Sequence, residues 1–320
     1  MNIVTIIVNY QTATLAVNCL ESLAPIACES HHFSVELLDA DSGDDSVCVL
    51  ANAIQQRGWQ SWVRLTALSE NRGFAAANNV GIAAALSRPQ RPDAVWLLNP
   101  DTIVLPGALT PLLETLQSHP SAGIVGSRLQ CRDGELQSSA FRFPHIRSEL
   151  IDAWRFSIVN RMLKDHEVAL KPCSHACEVD WVSGASFLIR SEVFEQIGML
   201  DDGYFMYYEE VDFCHRAKQA GFTTWCQPES RVIHLVGQSS GVTGEQAILR
   251  QRPRYWFDSR RRYFFSKHGS LRTGIADAVW LSGRACWIVR ATLQRKPVED
   301  PPKLWRDFLC NSVFVRGLSR

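Results

Sequence analysis

The chain has 320 residues, 46% hydrophobic and 21% charged, with 19 Gly and 14 Pro, which excludes disorder, collagen and coiled coil and fits one elaborated domain with a tail. Its net charge of +0 excludes a uniformly basic nucleic-acid binder, yet residues 1–249 carry 17 Lys/Arg against 28 Asp/Glu and residues 250–320 carry 16 against 5. An acidic body, net −11, thus precedes a basic tail, net +11.

The opening MNIVTIIVNY lacks the basic flank and cleavage site of a signal peptide and reads as a first buried strand. No uncharged apolar run is long enough to span a bilayer, so a cytoplasmic protein is expected. The 10 Cys include no CxxC pair and read as reduced. Cys173, His175 and Cys177 lie close together, but they lack a fourth ligand and the spacing of zinc modules.

In chain order, Ile3 to Val8, Phe33 to Leu38, Trp62 to Leu65 and Ala94 to Leu98 are short apolar runs of the kind buried on both faces of a sheet. Thr14 to Leu23 and Gly73 to Leu86 have helical composition, and Pro106 suits the first turn of a helix running to Leu116. Gln130 to Cys177 is polar and irregular, and Val179 to Arg190 resumes a strand pattern. Ser191 to Ile197 is predicted as a short helix capped by Ser191, and Glu209 to Ala220 as a longer one closed by Gly221. Arg231 to Val236 is the last predicted strand. Alternating strands and helices predict a mostly parallel α/β sheet, with ligands beyond the carboxyl ends of its strands.

Three acidic segments sit at such ends. In LLDADSGDDS, Asp39 is suited to accept hydrogen bonds from a nucleotide base or ribose, although an ordinary turn capping a helix also accounts for the segment. In VWLLNPDT, Asn99, Pro100 and Asp101 reach the sheet edge, where one carboxylate with substrate phosphates suffices for a hard divalent cation; a plain Asn-Pro-Asp turn is the alternative. In DDGYFMYYEEVDF, Glu209, Glu210 and Asp212 crowd the first turn of a helix, where the macrodipole already favours acids. The aromatic run from Tyr204 to Tyr208 leads into them and offers the apolar walls that raise a carboxylate toward a working general base. His234 ends the apolar strand RVIHLV, as a structural residue or a metal ligand.

Taken in this order, the segments VTIIVNY, DADSGDDS, ENRGFAAANNVGIA, LLNPDT, DWVSGASFLIRSEVFEQIGMLDDGYFMYYEEVDF and VIHLVGQSS resemble family 2 glycosyltransferases, in particular the bacterial rhamnosyltransferase-like branch, from about Ile3 to His268. The resemblance implies a GT-A fold: a Rossmann-like, mostly parallel sheet flanked by helices over residues 1–249, with a nucleotide-sugar half to about residue 105 and an acceptor half from 106, followed by a basic helical extension over 250–320. It implies donor binding by Asn9, Asp39, Asn71, Arg72, Gly73, Asn78 and Asn99. It also implies a divalent cation, Mg²⁺ or Mn²⁺, on Asp101 and His234, and a base at Glu210 with Glu209 and Asp212 as rivals. This chain departs from the family pattern with Asn99 at the first position of the DxD motif, Glu210 where Asp is common, and Ala40 where Asn is usual.

The activity so implied is inverting transfer of a sugar, rhamnose from dTDP-rhamnose, to a glycan or lipid-linked acceptor in cell-surface polysaccharide synthesis. A degenerate module that holds a nucleotide-sugar without turnover is the alternative. In the tail, RQRPRYWFDSRRRYFFSKHG interleaves Arg with aromatics, and Ala276 to Leu293 is apolar but broken by Asp277, Arg284 and Arg290. These features suit peripheral contact with an anionic membrane on the inner face of the plasma membrane, or equally a packing helix with a solvated face. The acidic body argues against nucleic acid as a partner.

Overall fold

The computed structural model describes residues 1–29, 32–235 and 250–317. Its first half is built from β1 (Ile3–Asn9), α1 (Ala13–Glu29), β2 (Phe33–Asp39), α2 (Ser46–Gln56), β3 (Val63–Ala67), α3 (Phe74–Leu86) and β4 (Ala94–Leu98). Every residue of β1 and β4 is buried, as expected of apolar runs covered on both faces. The strands lie in the order β3-β2-β1-β4, all parallel. Each predicted strand here falls within two residues of its observed bounds.

The second half runs through β5 (Thr102–Val104), α4 (Leu109–Ser118), β6 (Ala122–Gln130), β7 (Ala140–Phe141), α5 (Ile146–Trp154), α6 (Ser157–Met162), β8 (Cys177–Val179), β9 (Trp181–Val182), β10 (Ser186–Arg190), α7 (Ser191–Ile197), α8 (Glu209–Gln219) and β11 (Thr223–His234). The sheet continues from β4 as β10-β6-β11-β5, with β8 on β11, while β7 and β9 pair separately. Parallel pairing returns between β6 and β11, whereas β10, β5 and β8 run antiparallel to their neighbours. The parallel α/β frame is therefore extended by antiparallel strands into a mixed sheet. Helices α1, α2 and α4 pack one face of it; α3, α7 and α8 pack the other.

Local chemistry moves several predicted boundaries. Gly107, at φ 76°, turns the chain after Pro106, so α4 starts at Leu109. Ser191 is the first residue of α7 rather than its cap, and its hydroxyl donates to the Pro92 carbonyl at 2.6 Å. The stretch 179–190 falls in three short strands, because a bend at Asp180 and the Ser183-Gly184-Ala185 turn interrupt it. Within the supposedly irregular 130–177 segment, α5 is a regular helix whose N-terminus His145 and Ser148 cap reciprocally.

The tail forms α9 (Arg254–Leu293), broken by non-helical Gly269, then α10 (Leu304–Asn311) and α11 (Val313–Arg316). It packs on α5 through Ala153, Phe257, Trp280, Leu281, Leu304 and Phe308, and on the segment before α8 through Tyr204, Tyr263 and Phe264. Two of the charges that interrupt its apolar pattern, Asp277 and Arg284, are buried: Arg260 pairs with Glu149 and, at 2.7 Å, with Asp277, and Arg284 with Asp300 at 2.8 Å. All 10 cysteines are free.

Candidate active site

The parallel register places Asn9 directly beside Asp39 at the carboxyl ends of β1 and β2. Asn9 Nδ2 donates to Asp39 Oδ2 at 2.7 Å, the Ser42 hydroxyl donates to the same oxygen at 2.7 Å, and the Ser42 amide donates to Oδ1 at 3.1 Å. Asn9 Oδ1 in turn accepts from Thr12 twice, at 3.2 Å from its amide and 3.0 Å from its hydroxyl. Asp39 and Asn9 are thus buried, mutually bonded residues at the carboxyl ends of β1 and β2. The side-chain amide absent at Ala40 is replaced by methyl burial in the core.

The next loop is tied to the second half of the chain. Asn71 Oδ1 accepts from the Gly73 amide at 2.9 Å, and Gly73 adopts φ 94°. A Cβ there would lie 2.8 Å from the Phe205 carbonyl carbon, so only glycine fits. The Phe74 amide donates to the Phe205 carbonyl at 2.7 Å, and Arg72 reaches Asp202 at 3.4 Å while remaining largely exposed. Asn78 is buried and donates to the Phe74 carbonyl within α3 at 2.9 Å. Its neighbour Asn79, not singled out from the sequence, bonds both backbone groups of Leu200, at 2.8 and 3.1 Å.

Pairing of β5 with β11 sets His234 opposite Thr102. His234 Nε2 consequently lies 3.4 Å from Asp101 Oδ1 and 3.5 Å from Asn99 Nδ2. The cluster is braced by Gln137, which donates to the His234 carbonyl at 2.8 Å, and by the Leu235 amide, which donates to the Asp101 carbonyl at 2.9 Å. Asp101 is 1% exposed. One carboxylate and one imidazole suit a divalent cation that completes its shell with substrate phosphates and water. Among the described residues no group of three His, Cys, Asp or Glu has metal-holding geometry. The GQSSG stretch after the last strand, from Val236 on, lies outside the described residues.

The three helix-start acids have separate environments. Tyr207 and Tyr208, both at φ 69°, turn the chain sharply into α8. Asp212 is buried between Arg216 at 2.7 Å and Lys267 of α9 at 2.6 Å, so both its oxygens are ion-paired. Burial, then the Glu210 charge, pushes Glu209 well above the usual carboxylate range. Glu210 is pushed up to about 7, chiefly by burial, against the opposing pull of backbone hydrogen bonds. Its side chain packs on Gly184, where a Cβ would sit 3.7 Å from Glu210 Cβ. The next residue, Ala185, accepts the Asn99 amide at 3.2 Å, so a single turn joins Glu210 to the Asn99, Asp101 and His234 cluster.

Glu210 also lines a cavity of about 630 Å³ walled by Tyr207, Tyr208, Trp181, Trp256 and Trp280, with Arg252 and Arg284. Sequence reasoning missed this wall, because it is assembled from α5, β9, α9 and the segment before α10. Cys173 and Cys177, considered above as metal ligands, meet the Cys226 thiol instead of His175.

A family model described as "Glycosyltransferase like family 2" matches residues 2–264. Among curated proteins, the chain is 30% identical over 190 residues to an N-acetylglucosaminyl-diphospho-decaprenol L-rhamnosyltransferase of Mycobacterium tuberculosis, covering 56% of this chain and 61% of that protein. It is 32% identical over 233 residues to the low-salt glycan biosynthesis hexosyltransferase Agl10 of Haloferax volcanii, covering 72% and 69%. In fold it is similar to GalNAc-T7 determined with UDP, GalNAc and Mn²⁺, at TM-score 0.57, 14% identity and coverage of 92% of this chain and 58% of that one. It is also similar to the mannosyltransferase PcManGT of Pyrobaculum calidifontis with GDP-Man and Mn²⁺, at TM-score 0.54, 14% identity and coverage of 98% and 87%. A GT-A fold and a family match over most of its length identify the chain as a member of glycosyltransferase family 2.

Proposed function

We propose that this glycosyltransferase inverts the configuration of the sugar it transfers, with rhamnose carried on dTDP as donor and a glycan or lipid-linked acceptor, in cell-surface polysaccharide synthesis on the cytoplasmic side. The donor nucleotide lies over the ends of β1, β2 and β4, on the floor that Asn9 and Asp39 brace, with the loop from Asn71 to Gly73 beside it. A divalent cation, Mg²⁺ or Mn²⁺, held by Asp101 and His234 would supply Lewis-acid neutralisation of the departing diphosphate. Glu210 accepts the proton of the acceptor hydroxyl; the hydroxyl oxygen bonds to the anomeric carbon as the bond from that carbon to the diphosphate breaks. The aromatic wall of the adjoining cavity suits the apolar faces of acceptor sugar rings.

The observation that carries this reading is the position of Glu210: a carboxylate held near neutrality by burial, in the wall of the cavity and one turn from the Asp101 and His234 pair. Asp212 is unsuited to the role, since Arg216 and Lys267 occupy both of its oxygens. Replacing Glu210→Gln is expected to keep donor binding, read as a thermal shift with dTDP-, UDP- and GDP-sugars, and to lower turnover by at least about 10²-fold. Undiminished turnover in that variant would remove Glu210 from the mechanism. A degenerate, donor-holding module would instead form no product with any donor in the presence of Mn²⁺ or Mg²⁺.

A further inference from the structure

The tail is packed on one side only. In the helix after Gly269, Thr273, Ala276, Asp277, Trp280, Leu281, Arg284 and Ala291 are buried. The opposite side is a stripe of Leu271, Ile275, Ala278, Ser282, Cys286, Val289 and Leu293, all exposed. At 3.6 residues per turn these seven positions fall within an arc of about 80° and extend about 33 Å along the axis. The stripe contains no charge, and its ends stand far out of the fold: Leu271 is 79% exposed and Leu293 81%. Beside its beginning, Val313 packs 3.7 Å from the Cβ position of Gly274, bringing the exposed Phe314 and Val315 of α11 to the same end.

The exposed charges of the tail from residue 270 onward are mostly of one sign. Between residues 270 and 317 the exposed ionic side chains are Arg272, Arg295, Lys296, Lys303, Arg306 and Arg316, against Glu299 alone. The other acids of this stretch, Asp277, Asp300 and Asp307, are withdrawn from the surface. A second copy docking symmetrically on this face would set these cations against each other. An anionic lipid surface offers negative headgroups for the cations and a hydrocarbon boundary for the stripe. No helix among the described residues is long and apolar enough to cross a membrane, so the contact lies in the plane of the interface.

We propose that the stripe from Leu271 to Leu293, with Phe314 and Val315, is a membrane-docking face for anionic bilayers. It rests on surface residues and not on the transfer reading. The test is flotation of the full chain with phosphatidylglycerol/phosphatidylethanolamine vesicles and with pure phosphatidylcholine vesicles, across a salt series. Flotation with the anionic vesicles that weakens as salt rises, little flotation with phosphatidylcholine, and at least about tenfold weaker binding of the L271D/L293D double variant are expected. Both positions are exposed, so that variant should keep the parent's melting temperature; R295E/K296E, which leaves the stripe intact, should weaken anionic binding alone. A protein that stays at the bottom of the gradient at low salt would overturn the proposal. So would a double variant that floats like the parent, or a parent dimer in sedimentation that L271D/L293D dissociates. Flotation needs neither donor nor turnover, so its failure would leave the transfer reading standing.

Discussion

At the scale of single residues, Glu209, Glu210 and Asp212 show how neighbouring carboxylates of one helix turn acquire different chemistry. Glu210 is raised from its ordinary 4.5 to about 7 by burial. Its basic form therefore accumulates only as pH climbs through about 7, and kcat/KM should rise over the same interval. The limb should disappear in the residual activity of Glu210→Gln, as a pH–rate profile would show. Stability should run the other way. The folded protein retains a proton that the unfolded chain has already released, so the stability this group contributes is complete below about 4.5 and is lost as pH rises through about 7. Above neutrality Glu210→Gln should accordingly melt higher than the parent, with the difference closing in acid. Asp212→Asn should behave oppositely, since it leaves the nearly buried Lys267 without its carboxylate. A loss of about 3 kcal/mol in urea unfolding is expected, at the low end for a broken buried pair because Arg216 is partly solvated.

At the scale of elements, α5 and α9 are held together by the same residues that disguise them in sequence. Glu149 and Asp152 break the apolar periodicity of α5, and Asp277 and Arg284 break that of α9. Arg260 of α9 bonds Glu149 of α5 and also Asp277 on its own helix, while across the seam Trp280 Nε1 donates to Asp152 at 3.0 Å and Arg284 donates to the Asp152 carbonyl at 3.0 Å. Arg260 also lies 4.5 Å from the ring centres of Phe264 and Phe308. Arg260→Ala would strand two buried acids and is expected to cost about 3–5 kcal/mol in denaturant unfolding. The strands of the first half pose no such difficulty, because Ile3 to Asn9 or Ala94 to Leu98 need only be apolar on both faces to be recognised.

At the scale of the whole molecule, the acidic body and basic tail fold onto one another. Lys267 reaches Asp212, Arg260 reaches Glu149 and Arg262 reaches Asp201, while Tyr263 and Phe264 complete a cluster with Tyr204 and Val211. Three of the basic tail's cations are thereby paired with acids of the body along this internal seam. A chain ended after residue 249 should therefore fail to fold cooperatively, giving no sharp thermal transition and exposing apolar surface to a hydrophobic dye. A truncated protein that melted like the parent would show that the seam contributes little.

The sequence by itself determined the strands of the first half, the acids at their carboxyl ends and the helix start that carries Glu209, Glu210 and Asp212, because burial patterns and turn residues act over a few positions of chain. Tertiary structure alone decided which acid is which. Asp39 is bonded by Asn9 and Ser42, Asp212 is taken by Lys267 from 55 residues away, and Glu210 is left against Gly184 in a cavity wall gathered from separate elements. Those outcomes depend on pairing register and on partners distant in sequence, and an ionisable group takes its charge state from whatever surrounds it in space.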